Sequence, residues 1–272
     1  MNHDSGNARF VALKSGRPGP CFFLVPGTGV GIERYADLAA SLRTSMPVFA
    51  IEPRGLDESS APDNNVEETA RHYLFRIRTI QEAGPYFLCG HSYGGLVALE
   101  IAQHLLKAYE KVACVIMLDT PGPEPFTAKL GRHGRRILTA STMENLKFYS
   151  RRIFVRNSVH TLMSDSDLSP LALAHLLARV TYRPKFYAQK LIFFRPSLGD
   201  DGYDRLWRNR ARELEIHSAA GDHISMIESP NASLLAADMS ECLMAALAAA
   251  TSPPGSLWES SGKPSSPANI EG

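Results

Sequence analysis

The stretch Phe87-Leu88-Cys89-Gly90-His91-Ser92-Tyr93-Gly94-Gly95-Leu96 decides how this chain folds. Apolar residues lead into Gly90, and Leu96-Val97-Ala98-Leu99-Glu100-Ile101-Ala102 continues with helical composition and no breaker. Ser92 therefore stands between a predicted strand and a predicted helix, inside Gly-x-Ser-x-Gly. That is the context of a nucleophile elbow, in which small residues let strand and helix approach closely and leave the serine hydroxyl exposed on a sharp turn. The helix start adds amide donors and a positive dipole end suited to a developing oxyanion. An ordinary glycine turn also fits the five residues, and chance alone produces the pattern in roughly one chain in ten of this length. The strand before it and the helix after it favour the catalytic reading.

Working outward, the apolar runs Cys21–Val25, Pro47–Ile51, Pro85–Cys89, Val112–Leu118 and Lys190–Phe194 read as strands, with shorter ones at Arg9–Leu13 and Leu214–Ile216. Helical patterns fall between them at Tyr35–Leu42, Val66–Ala83 and Asn231–Ala250. Val66, Ala70, Leu74, Ile77 and Ile80 keep helical spacing and read as a core-facing stripe. Continuous apolar strands alternating with helices predict a mostly parallel α/β sheet with helices on both faces. Pro121 to about Lys185 breaks this rhythm. It holds helical pieces near Met143–Arg156 and Leu168–Val180, and reads as a helical lid over the carboxyl ends of the strands. Residues 1–250 form the expected domain, and the Ser- and Pro-rich residues 251–272 the expected disordered tail.

Composition narrows the classes. A chain of 272 residues with net charge +1 carries no global bias toward nucleic acid. No uninterrupted apolar run of about 18 residues predicts a membrane span. The amino-terminal residues lack a signal-peptide core. Cys21, Cys89, Cys114 and Cys242 are scattered without a Cys-x-x-Cys pair. Together these lead to the expectation of a cytoplasmic, metal-free protein. The loop Pro26-Gly27-Thr28-Gly29-Val30-Gly31 has glycines spaced like a phosphate loop but lacks the Lys-Ser/Thr ending. After an early strand, such a loop instead places a backbone amide opposite the nucleophile.

A serine nucleophile needs a base, and the base needs an orienting group. Among nine histidines, His223 follows a short strand in a Gly-Asp-His turn, in the chain order Ser…Asp…His of this architecture. His91 leaves the turn in another direction and reads as a support residue. His72, His104 and His175 fall within helices and read as surface or core positions. Four aspartates come into question. Asp119 ends the strand after the nucleophile helix, Asp200 and Asp201 follow the next strand, and Asp222 is too close to His223 in sequence to reach its ring. Order alone does not separate Asp119 from Asp200.

From about Arg9 to Ala250 the chain resembles the type I thioesterase domains that release products from non-ribosomal peptide and polyketide synthases, members of the α/β-hydrolase superfamily. The resemblance is carried by Phe23-Leu24-Val25-Pro26-Gly27 with Tyr35 and Leu38, by Pro53-Arg54-Gly55-Leu56, and by Gly84-Pro85-Tyr86. It continues through Gly90-His91-Ser92-Tyr93-Gly94-Gly95, Leu118-Asp119, Tyr182-Arg183-Pro184, Phe194-Arg195 with Trp207, and Gly221-Asp222-His223. It implies an α/β-hydrolase fold and a triad of Ser92, His223 and Asp119. It also implies oxyanion donors at the backbone amides of Tyr93 and Thr28, and no cofactor. The substrate implied is an acyl, peptidyl or polyketide chain on the phosphopantetheine arm of an acyl or peptidyl carrier protein or its synthase. Gly27 departs from the proline frequent there in the family, a lean toward water as acceptor. Rival expectations are a carboxylester hydrolase acting on free esters, a discrete thioesterase that clears misloaded carriers, and a non-enzymatic binding module of the same fold. Between Gly122 and Lys185, eleven Lys and Arg stand against four Asp and Glu, among them Arg135, Arg136, Arg151 and Arg152. Such a basic segment fits either a solvated helix face or an electrostatic landing surface for an acidic carrier partner.

Overall fold

The computed structural model describes residues 9–56, 61–122, 170–198 and 202–252. Seven strands form one sheet: β1 (Arg9–Lys14), β2 (Phe22–Val25), β3 (Val48–Glu52), β4 (Tyr86–His91), β5 (Val112–Leu118), β6 (Tyr187–Pro196) and β7 (Ala211–Ala219). Their order is β1-β3-β2-β4-β5-β6-β7. The β1–β3 pair is antiparallel and the other five pairings are parallel. Six α-helices lie among the described residues, α1 (Ala36–Ser41), α2 (Val66–Ile80), α3 (Tyr93–Lys107), α4 (Pro170–Thr181), α5 (Tyr203–Trp207) and α6 (Asn231–Thr251), with short 3-10 turns at Ile32–Tyr35 and Ser225–Ile227. This is the expected α/β-hydrolase architecture.

The central strands β2, β4 and β5 are apolar at nearly every position because both faces of the sheet are covered there. Successive side chains of a strand point to opposite faces. Phe23, Val25, Leu88, Val115, Met117 and Phe193 pack with residues of α2 and α3 on one side. Phe22, Leu24, Phe87, Cys89, Ile116 and Phe194 pack with residues of α1 and α6 on the other. All four cysteines are buried and free, acting as small packing residues. Helix α2 starts on an Asn65 cap, whose side chain accepts from the Glu68 amide at 2.7 Å, and buries Val66, Ala70, Tyr73 and Ile77 at helical spacing. Helix α6 is long and apolar enough by composition to cross a membrane, which the sequence pattern did not suggest. In the fold, its Ala232, Leu235, Ala236, Met239 and Leu243 lie in the core beside the sheet.

Two strands extend beyond the expected runs. β6 begins at Tyr187 and β7 spans Ala211–Ala219. β7 is the edge strand, so much of it is polar and half-exposed, and its pairing to β6 supplies the order that apolar patterning does not. Most of the expected lid, including the piece near Met143–Arg156 and the Arg135, Arg136, Arg151 and Arg152 cluster, lies outside the described residues, as do Asp200, Asp201 and the tail beyond Ser252. Of that segment's carboxyl end, α4 is described, and its Ala178 joins the core against α2 and α3.

Connections leave β2 toward β3 on one side and β4 toward β5 on the other. The carboxyl ends of β2 and β4 therefore flank a topological switch point, where open α/β sheets bind ligands.

Candidate active site

The predicted site residues all stand just past the carboxyl ends of parallel strands: Thr28 after β2, Ser92 after β4, Asp119 after β5 and His223 after β7. Ser92 has φ +54° and ψ −123°, a conformation costly for a side-chain-bearing residue, and serves as the cap of α3. The surroundings hold it there. Its amide donates to Leu118 O at 2.8 Å and its carbonyl accepts from the Gly95 amide at 3.0 Å. The close approach requires glycine: a Cβ on Gly94 would lie 2.1 Å from Val25 O, and one on Gly90 would lie 2.1 Å from Gly94 O. The Gly90–Gly95 pattern thus marks a true strand-to-helix crossing.

Asp119 is likewise in the left-handed region, at φ +42°, with its amide bonded to Phe194 O at 2.9 Å. Its side chain is 4% exposed, and Oδ2 lies 2.6 Å from His223 Nδ1. A carboxylate only accepts, so Nδ1 carries the proton and the Nε2 lone pair of a neutral His223 is left for a substrate proton. Among the described residues, Ser92 Oγ makes no direct hydrogen bond to the His223 ring. Such bonds are often loose in unliganded hydrolases and tighten with substrate. Asp222 serves its own turn: its Oδ1 accepts from the Ile224 amide at 3.0 Å, the Ser225 amide at 2.8 Å and the Ser225 hydroxyl at 2.8 Å.

Tyr93 opens α3, where the first amides lack intrahelical acceptors. Thr28 approaches the same place from β2. His175 of α4 touches both residues, stacking on the Tyr93 ring with centroids 4.2 Å apart and placing Nδ1 3.2 Å from Thr28 Oγ1. The sequence pattern marks His175 only as a position within a helix. Its contact with Thr28 spans 147 positions and leaves no local signal. Burial lowers the His175 pKa to about 4. His91 is fully buried, its ring 4.8 Å from that of His223. It bonds Tyr35 and the backbone of His223, each at 2.8 Å. Burial, and then the neighbouring His223, lower its pKa to about 3. His72 pairs with Asp63 at 2.9 Å, and His104 lies 3.5 Å from Glu100.

Among the described residues, two side-chain groups gather metal-ligating atoms, Glu215 with His217 and Cys242, and Asp63 with Glu68 and His72. Each already holds a cationic partner: Lys190 lies 2.6 Å from Glu215, and Arg54 lies 3.3 Å from Asp63.

A serine in a strained backbone conformation and a bonded Asp119–His223 pair thus stand at the carboxyl end of one sheet. The family model of the thioesterase domain matches residues 20–240. The chain belongs to the thioesterase domain family. Among curated relatives, this thioesterase domain is 26% identical over 232 residues to malpibaldin synthetase of Mortierella alpina, covering 83% of this chain and 4% of that one. It is 28% identical over 252 residues to the non-reducing polyketide synthase ntnG of a Nectria species, covering 82% of this chain and 12% of that one. The thioesterase domain therefore spans only a small part of the curated relatives it matches. Among solved structures, the NocB thioesterase domain, in covalent complex with a fluorophosphonate nocardicin G analogue, aligns with TM-score 0.61 at 20% identity, covering 88% of this chain and 99% of that one. A Vlm2 thioesterase domain bound with a dodecadepsipeptide aligns with TM-score 0.61 at 21% identity, covering 85% and 96%.

Proposed function

We propose that this thioesterase domain releases an acyl, peptidyl or polyketide chain from a carrier-protein thioester through a Ser92 acyl-enzyme. The observation that carries the proposal is the 2.6 Å His223–Asp119 contact beside a strained serine elbow. His223 Nε2 takes the Ser92 hydroxyl proton as Oγ attacks the thioester carbonyl carbon. Asp119 holds the ring with Nδ1 protonated and stabilises the imidazolium as it forms. The tetrahedral oxyanion is met by the amides of Tyr93 and Thr28 and by the positive end of α3. Collapse expels the thiol of the phosphopantetheine arm, which leaves with the proton from His223. Water, or a nucleophile within the acyl chain, then attacks the ester with His223 again as base. Every step uses side chains and amides of this chain.

Synthetases and polyketide synthases among the relatives support the substrate class, and the basic residues between Gly122 and Lys185 support an acidic carrier as partner. The test is intact-protein mass spectrometry with carrier-bound acyl thioesters. The chain gains the acyl mass on Ser92, and Ser92→Ala gains none. Turnover of a matched oxoester at equal or higher kcat/KM would move the reading to a carboxylester hydrolase.

A further inference from the structure

We infer that His91 is a positioning residue, whose Nε2–H holds the backbone carbonyl of His223 and so fixes where the general base stands; the inference rests on the triad reading above. His91 is 0% exposed. Its Nε2 lies 2.8 Å from His223 O, and a carbonyl only accepts, so Nε2 carries the proton. In the neutral ring Nδ1 is then a lone pair, and the Tyr35 hydroxyl 2.8 Å away donates to it. That hydroxyl in turn accepts from the Gly27 amide at 2.9 Å. The donors run in one direction, from Gly27 to Tyr35 to His91 to His223, and each proton is used once. Such a chain fixes a tautomer, because reversing any member leaves two donors or two acceptors face to face.

Burial and the adjacent His223 keep the ring neutral, its pKa lowered to about 3. A cation here would repel the imidazolium that His223 becomes, since the two rings lie 4.8 Å apart. The space is closed as well: a Cβ on Gly27 would meet His91 Nδ1 at 3.0 Å and Ser92 Cβ at 3.3 Å. His91 ends β4, a fully buried strand, so the anchor is set by the rigid sheet. One buried line of hydrogen bonds thus joins the loop bearing Thr28, the residue before Ser92 and the loop bearing His223. Asp119 holds the ring of the base, and His91 holds its backbone.

The test compares wild type, Ser92→Ala, His91→Phe, His91→Gln and Tyr35→Phe in Ser92 labelling by a fluorophosphonate probe and in turnover of a soluble acyl thioester. Glutamine keeps an N–H for His223 O and an acceptor for Tyr35, whereas phenylalanine keeps only the ring. His91→Phe is expected to lower kcat and the labelling rate on the order of 10²-fold, with KM within about threefold. His91→Gln recovers most of that loss. Tyr35→Phe, which leaves Nδ1 unpaired, loses about tenfold. Equal slowing in His91→Phe and His91→Gln, or a His91→Phe rate within about threefold of wild type, would overturn the inference. Should His91→Phe fail to fold by circular dichroism, Tyr35→Phe decides, and a wild-type rate there overturns it. No labelling of wild type at Ser92 removes the triad reading, and this inference with it; normal labelling with indifferent variants removes the inference alone.

Discussion

His223 Nδ1 lies 2.6 Å from Asp119 Oδ2, across 104 positions of sequence. The carboxylate is nearly enclosed while the ring is 40% exposed, so the pair presents an imidazole face to solvent. If this carboxylate orients the base, Asp119→Asn should lower kcat on the order of 10⁴-fold by stabilising the wrong tautomer. Asp200→Asn and Asp201→Asn should be mild. Steady-state rates with a soluble acyl thioester decide, and a near-normal Asp119→Asn beside a dead Asp200→Asn reverses the assignment.

The backbone at Ser92 supports a second prediction. A side-chain-bearing residue at φ +54° costs on the order of 1–3 kcal/mol, and glycine relieves it. Ser92→Gly should therefore abolish fluorophosphonate labelling yet raise the denaturant midpoint, by about 1 kcal/mol of stability. A variant less stable than wild type would mean that the elbow is not strained.

Gly94→Ala sends a Cβ to 2.1 Å from Val25 O, a backbone atom in the middle of the sheet. Neither partner can rotate away. The expected cost is ~3 kcal/mol, seen as a Tm fall of about 10 °C or as insoluble expression. A Tm within about 2 °C of wild type would show that β2 and α3 pack less closely than described.

Acid should unfold the domain through its buried histidines. Burial lowers the pKa of His91 to about 3 and of His175 to about 4, from an ordinary 6.5. Below pH 6.5 the unfolded chain binds protons that the folded one refuses. Stability is thus full above about pH 7 and falls as pH drops toward 4, each group contributing a slope of up to about 1.4 kcal/mol per pH unit. Urea titrations at several pH values measure it. His91→Gln should flatten the slope, and an unchanged slope would show that His91 is not the group refusing the proton.

The basic residues outside the described part carry a prediction about the partner. Arg135→Glu with Arg136→Glu should lower kcat/KM for a carrier-bound thioester at low salt and leave a small soluble thioester nearly unaffected. Equal losses on both substrates would mean that these charges only hold their own segment together.

The elbow was legible from Gly90 to Gly95 because its chemistry is local: small residues in fixed order let a strand meet a helix, whatever surrounds them. The central strands were legible for a similar reason. Phe22 to Val25 and Val112 to Leu118 are apolar at nearly every position because both faces are covered, a demand written into each run. His223 was legible only by chain order, and Asp119 only through resemblance, since nothing near Leu118 states which histidine its neighbour meets. The tertiary structure decided the rest. It brought Asp119 to the His223 ring and His91 to the His223 backbone, set His175 against Thr28 and Tyr93, and drew the polar edge strand β7 out to nine residues. These are contacts between residues far apart in the chain, where the choice of partner depends on how strands are ordered in the sheet and on which side chains burial leaves with a single donor to give.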